Sequence, residues 1–391
     1  MGYDISNYED VYPPYGTVGD MEDLIAGCHH RGMRLILDLV VNHTSHEHEW
    51  FKESRSSRSD PKRDWCIWRP AKYGKDGERT PPNNWRSFFG GSVWQWDEAT
   101  QEYYLHLFTP EQPDLNWDNP ETRQAIYKSA MTFWLDKGVD GFRIDTVNMY
   151  SKDSSFHDAP VIDKDSMWQK SANLFSNGPR IHEFINEMNE QVLRKYDAMT
   201  VGELPATPDP ARVLRYISAR EKQLNIVFQF DMVDLGIGSD YRYATVPHNF
   251  TLPDFKRVIG GTQALLNGTD AWTTVFLENH DQARSISRFA SDAPVHRAAS
   301  GKLFVYGAYQ VFDERDAATY TFCKRADDGS TALVALNFSE ESRSMHVPGQ
   351  LEGKRLRLLV GNMEGKAEEK LLEPFEGRIY LVDQSVRRMN W

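Results

Sequence analysis

Apolar positions fall into two patterns that alternate along most of the chain. "MRLILDLVV" (Met33 to Val41) is a nearly continuous buried-strand run, and a helical pattern from Val18 to Arg31 precedes it. The spacing predicts a helix over Pro120 to Lys137, with Asn119 as its cap and a proline in the first turn. There follow a strand at "GFRID" (141–145), a helix over His182 to Tyr196 and a strand from Met199 to Glu203. Next come a helix over Pro210 to Ala219, a strand from Asn225 to Met232, a helix over Pro253 to Leu266 and an apolar run from Trp272 to Asp281. Repeated strand–helix units with apolar strands predict an α/β fold, a parallel sheet covered by helices. Closed on itself, such a sheet is a TIM (β/α)8-type barrel, with its active site at the strand C-terminal ends.

The rhythm breaks between the first strand and Trp117. That stretch is rich in Trp, Arg, Ser and Asp and shows no strand–helix alternation, which predicts an inserted subdomain at 43–117. From about Leu303 short alternating strands take over, as in "TALVALNFS" and "RIYLVDQ". The expected organisation is a barrel over 1–42 and 118–302, the insertion, and a C-terminal all-β sandwich domain over 303–391.

Composition narrows the partners. The 391 residues carry 45 Lys and Arg against 57 Asp and Glu, a formal charge of −12 that disfavours nucleic acid and acidic membrane surfaces. Eleven Trp, 17 Tyr and 20 Phe can fill a core and still line a cleft. Three scattered cysteines, Cys28, Cys66 and Cys323, suggest free thiols, and "MGYDISNYED" has no leader pattern, so a cytoplasmic location is expected. No Gly-rich phosphate loop or CxxC pair calls for a cofactor. "NHTSHEHEW" offers His43, His46 and His48 beside Glu47 and Glu49, but His46 and His48 are expected in a solvated, charged loop, and no metal is assigned.

The strand ends carry the chemistry. Asp38, Asn42 and His43 follow the first strand, Arg143 and Asp145 the second, Glu203 the third, and His280 and Asp281 the last. Within "GFRID", alternation turns Arg143 and Asp145 to the face opposite Phe142 and Ile144. An arginine beside Asp145 is expected to keep that carboxylate ionised. On a barrel these endings converge on one mouth. Three of these acids with an arginine and two histidines suit glycoside hydrolysis, which needs a carboxylate nucleophile, an acid for the leaving oxygen and polar groups for sugar hydroxyls.

"DLVVNH", "QPDLNW", "GFRIDTVN", "VGEL" and "LENHD", in this order, resemble the motif series of the α-amylase superfamily, in particular its α-glucosidase and oligo-1,6-glucosidase branch. "GYDISNYEDVYPPYGT" and "WQWDEATQEYYLHLF" strengthen the likeness. The resemblance implies Asp145 as nucleophile, Glu203 as general acid/base and Asp281 as the third acid that stabilises the transition state. It implies that Arg143, His43 and His280 hold the terminal glucose, that the sugar stacks on Tyr3, and that Phe89 and Phe108 line the pocket. Thr146, after the nucleophile, implies preference for α-1,4 over α-1,6 bonds. The implied activity is retaining release of terminal α-1,4 glucose from maltose and short malto-oligosaccharides. A retaining pair is expected to hold its carboxyls about 5–5.5 Å apart. The alternatives are an oligo-1,6-glucosidase or sucrose-type α-glucosidase and, in a different class, an inactive or purely binding homologue. Five strands are legible. Against the resemblance, the first two strands and the eighth have no counterpart, nor has an acid that usually precedes "MGYDIS". The chain is therefore expected to be a truncated, internally deleted form with little or no turnover.

Overall fold

Each of the five apolar runs forms a strand. In this computed structural model, which describes residues 2–236, 250–282, 284, 308–326, 329–363 and 370–382, they are Leu37–Leu39, Gly141–Ile144, Met199–Leu204, Ile226–Gln229 and Thr274–Val275. They make one sheet in that order, with parallel pairing between the first four. The hydroxyls of Thr273 and Thr274 fasten the far edge by donating to the Val227 carbonyl (3.1 and 3.0 Å). Gly141 is required where the sheet begins: its φ is +144°, and a Cβ would stand 1.9 Å from the Met199 carbonyl oxygen.

The helices start where their caps place them. Thr17 and Asp20 form a reciprocal capping box at the head of Val18–His30. The Asn119 side chain accepts from the Glu121 amide and opens Pro120–Ile126. The expected continuous helix is interrupted by a π turn at Tyr127–Thr132 before Phe133–Asp136 completes it. That turn buries Tyr127, Ala130 and Met131, and the Trp134 indole just beyond it donates to the Tyr8 carbonyl (2.8 Å). Among the described residues no helix is long and apolar enough to cross a membrane.

The chain divides into two units, Met1–Phe230 with Asp270–Thr274, and Asp231–Thr269 with Val275–Trp391. Within the first, residues 43–117 form the helix Glu49–Ser56 and a small antiparallel sheet of Trp68–Arg69, Glu102–Leu105 and Trp94–Asp97. Trp85, Val93, Leu105 and Leu107 make its core together with Met149, Phe156 and Phe175, which come from the segment after Asp145. The insertion is therefore packed on the loop that follows the candidate nucleophile. In the second unit a five-stranded antiparallel sheet runs in the order Ala308–Val311, Thr319–Arg325, Thr331–Asn337, Gly377–Val382, Leu356–Gly361. Leu333, Ala335 and Tyr380 are buried beneath it. The boundary expected near residue 302 lies outside the described residues.

Candidate active site

Strand register assembles the carboxylates. Asp38 is paired with Arg143, and Arg143 with Val201. Side chains two apart on a strand share a face, so Asp145 joins Arg143, and Glu203 joins the face of Val201. The result is one guanidinium among three acids. Arg143 Nη1 donates to Asp145 Oδ1 (2.5 Å) and Asp38 Oδ1 (2.9 Å), and Nη2 meets Glu203 Oε2 (3.0 Å). The Tyr3 hydroxyl donates to Asp38 Oδ2 (2.7 Å), and the Arg143 guanidinium lies 5.8 Å from the centre of the Tyr3 ring. Arg143, Asp145 and Glu203 are nearly sealed from solvent, whereas the Asp38 side chain is 37% exposed.

Burial changes the protonation expected from sequence. It pushes the Asp145 carboxyl above the ordinary aspartate value, and the Asp38 charge adds to that. Arg143 and hydrogen bonds with Arg143 and Glu203 oppose the shift without reversing it. Arg143 thus favours the ionised form of Asp145, as expected, but desolvation is the larger effect on its pKa. Burial also works against the charge of Arg143, but Glu203, Asp145 and Asp38 together override it and hold the guanidinium above its usual value. The Tyr3 phenol is raised, by burial first and by its bond to Asp38 second.

Thr146 links the strands that lead to Asp145 and Glu203. Its backbone is left-handed (φ 38°, ψ 46°), a costly conformation for a β-branched residue. In that conformation its N–H donates to Glu203 Oε2 (3.1 Å) and its hydroxyl lies 3.3 Å from Asp145 Oδ2. Gly202 makes room for this turn, since a Cβ there would meet the Val147 and Leu224 side chains at 2.8 and 2.6 Å.

His43 is buried and its nitrogens are engaged by protein groups. Asn42 Nδ2 donates to Nδ1 (3.3 Å), so the ring hydrogen is placed on Nε2, which donates to the Tyr3 carbonyl (2.9 Å). Gln112 Nε2 donates to the same carbonyl (2.9 Å). His43 therefore anchors the segment bearing Tyr3, and burial lowers its pKa. Phe108 stacks on Phe88 (5.0 Å, 14°) and leans on the His43 ring (5.1 Å). Phe89 is half exposed, 6.3 Å from Phe108. Behind them Lys152 Nζ pairs with Asp114 Oδ2 (2.9 Å) and donates to Asn42 Oδ1 (3.0 Å), all three side chains being buried.

His280 and Asp281 belong to the second unit, where His280 Nε2 lies 3.5 Å from Asp281 Oδ1 and the Asp281 amide donates to Asn279 (3.0 Å). His48 corrects an expectation, since it is buried and not solvated. Its Nδ1 caps the Glu49–Ser56 helix by accepting from the Trp50 amide (3.0 Å). Its ring packs among Tyr8 and Trp50, and desolvation lowers its pKa to about 4.

Residues 1–313 match the model of the α-amylase catalytic domain. The chain belongs to the α-amylase family. Its parallel sheet with covering helices is that family's TIM barrel. An α-glucosidase of Candida albicans is 58% identical over 303 residues, 77% of this chain and 52% of that protein. An oligo-1,6-glucosidase of Saccharomyces cerevisiae is 52% identical over 308 residues, 78% of this chain and 52% of that one. The match thus spans about half the length of these curated relatives. The crystal structure of Bacillus licheniformis trehalose-6-phosphate hydrolase superposes with a TM-score of 0.84 at 27% identity, covering 98% of this chain and 89% of that one. The trehalulose synthase of Pseudomonas mesoacidophila does so with 0.83 at 30%, with the same coverage.

Sequence reasoning noted Asp38 without giving it a role, and it missed Gln112 and Lys152. Asp38 could have been found from the strand pattern, as the residue that faces Arg143 once the two strands pair. Gln112 and Lys152 act through contacts 69 and 38 residues away in sequence, on His43 and Asp114, and carry no local signal.

Proposed function

We propose that this chain is a retaining α-glucosidase acting on terminal α-1,4 glucose of maltose and short malto-oligosaccharides. The observation that carries it is the placement of Asp145 and Glu203 on one guanidinium, with Arg143 Nη1 2.5 Å from Asp145 Oδ1 and Nη2 3.0 Å from Glu203 Oε2. Carboxyls held by the two ends of one guanidinium suit the short spacing of retaining pairs, about 5–5.5 Å, better than the about 6.5–9.5 Å by which inverting pairs admit a water. In this scheme ionised Asp145 attacks the anomeric carbon while Glu203 protonates the leaving oxygen. Glu203, now a base, then activates the water that frees glucose with its α configuration kept. Tyr3 and Arg143 offer an aromatic face and a cation to the sugar.

Release of glucose from maltose by the purified chain tests the proposal, with Asp145→Ala as the control. No release would favour the inactive homologue. Curated relatives bear both α-glucosidase and oligo-1,6-glucosidase names, so isomaltose is the second substrate to try. The Thr146 hydroxyl lies 3.3 Å from Asp145 Oδ2, and the likeness to the α-glucosidase branch attaches the α-1,4 reading to a threonine at this position. Faster cleavage of isomaltose than of maltose would reverse that preference.

A further inference from the structure

The two reacting carboxylates stand on neighbouring strands, and one buried side chain ties together the loops that continue from those strands. Asn148, three residues past Asp145, is completely buried. Its Nδ2 donates to the Pro205 carbonyl (2.5 Å) and to Thr207 Oγ1 (3.0 Å), two and four residues past Glu203. The Thr207 hydroxyl donates to the Pro205 carbonyl (3.0 Å) and accepts from Asn177 Nδ2 (2.9 Å). Asn177 returns to the first loop, since its N–H donates to the Asn148 carbonyl (2.7 Å), while its Oδ1 accepts from the Tyr216 hydroxyl (2.7 Å).

Both loops hold non-glycine residues in left-handed conformations, Thr146 at φ 38° and Ala206 at φ 50°. Such turns persist where the surroundings over-determine them. The Asn148 Oδ1 has no hydrogen-bond partner among the described residues. The site therefore uses the two N–H bonds of this amide, and packing alone would be served by leucine. We propose that Asn148 is a positioning residue, which clamps the 146–148 loop to the 204–207 loop and so fixes where Glu203 stands relative to Asp145.

The inference takes the glucosidase reading as given, and its test separates the two. A misplaced Glu203 delivers its proton poorly, which matters for a sugar leaving group and little for a phenolate that is stable as an anion. Asn148→Asp keeps the size and loses both donors. It should lower kcat/KM for maltose about 100-fold and for 4-nitrophenyl α-glucoside less than about tenfold. If that variant fails to fold, Thr207→Val should give the same asymmetry, and Thr207→Ser should restore most of the maltose activity. Equal losses on both substrates, or no loss, would overturn the clamp. If the unsubstituted chain cleaves neither substrate, the glucosidase reading fails and hydrogen exchange decides the clamp. The Thr146 amide should then exchange faster in Asn148→Asp than in the parent, and unchanged exchange would refute it.

Discussion

The first unit holds two buried charge clusters that differ in balance. Around Arg143 one guanidinium serves three acids, and the Asp145 carboxyl stays above its ordinary value despite direct contact with a cation. Behind it Lys152 faces Asp114 one to one. Asp114 also accepts from Asn42 Nδ2 (3.2 Å) and the Leu107 amide (3.0 Å), and Lys152 also donates to the Met149 carbonyl (2.7 Å). The balanced pair has its hydrogen-bonding needs met and joins the insertion to the loop after Asp145. The unbalanced cluster carries surplus negative charge in a dry site, an arrangement that costs stability and suits proton transfer. Charge balance, more than burial, separates the scaffold from the chemistry here.

That contrast can be broken from either side. Asp145→Asn removes the nucleophile and one of the crowded acids. Maltose turnover should fall about 10⁴-fold or more while the urea midpoint holds or rises, and a large loss of stability would count against the contrast. Lys152→Met should do the reverse, leaving the Asp114 charge buried without its cation. A cost of about 3–5 kcal/mol is expected in urea unfolding, partly recovered by adding Asp114→Asn. An unchanged midpoint would show that the pair is not structural.

A smaller effect is expected at Asp38, which raises the Asp145 carboxyl by like charge. Asp38→Asn should therefore lower the Asp145 pKa and move the acid limb of the kcat/KM profile to lower pH, with a loss in rate of about tenfold. A limb that stays in place would remove Asp38 from the cluster. The mildest test concerns the histidines away from the carboxylates. Burial lowers the pKa of His43, His48, His106 and His182. The unfolded chain takes up these protons near pH 6.5 and the folded chain refuses them, so the stability is present above that pH. It is lost as pH falls toward the folded values, about 4 for His48. The melting temperature should drop between pH 7.5 and 5, less steeply in His48→Asn, which keeps an oxygen for the Trp50 amide. A flat profile would contradict the assignment.

Much of this was legible in the apolar pattern. Four of the five strands lie within the runs that predicted them, Met199–Leu204 runs one residue past its run, and the cap at Asn119 was visible as Asn-Pro. Arg143 and Asp145 could be placed on one face because strand alternation is a local rule. What escaped depends on distance in the chain. The Tyr127–Thr132 π turn leaves no break in the helical spacing. His48 sits among charged neighbours in sequence and among Tyr8 and Trp50 in space. Asn148 reads as one polar residue in a turn until Pro205 and Thr207 are brought to it.

The central claim is that Asp145 attacks and Glu203 protonates. A fluorinated α-glucosyl fluoride, whose covalent adduct hydrolyses slowly, tests this most directly when the labelled chain is digested and its peptides are weighed. The glucosyl mass should sit on the peptide containing Asp145, and Asp145→Asn should take up none. A label on Glu203, or its absence from a chain that turns over maltose, would contradict the account.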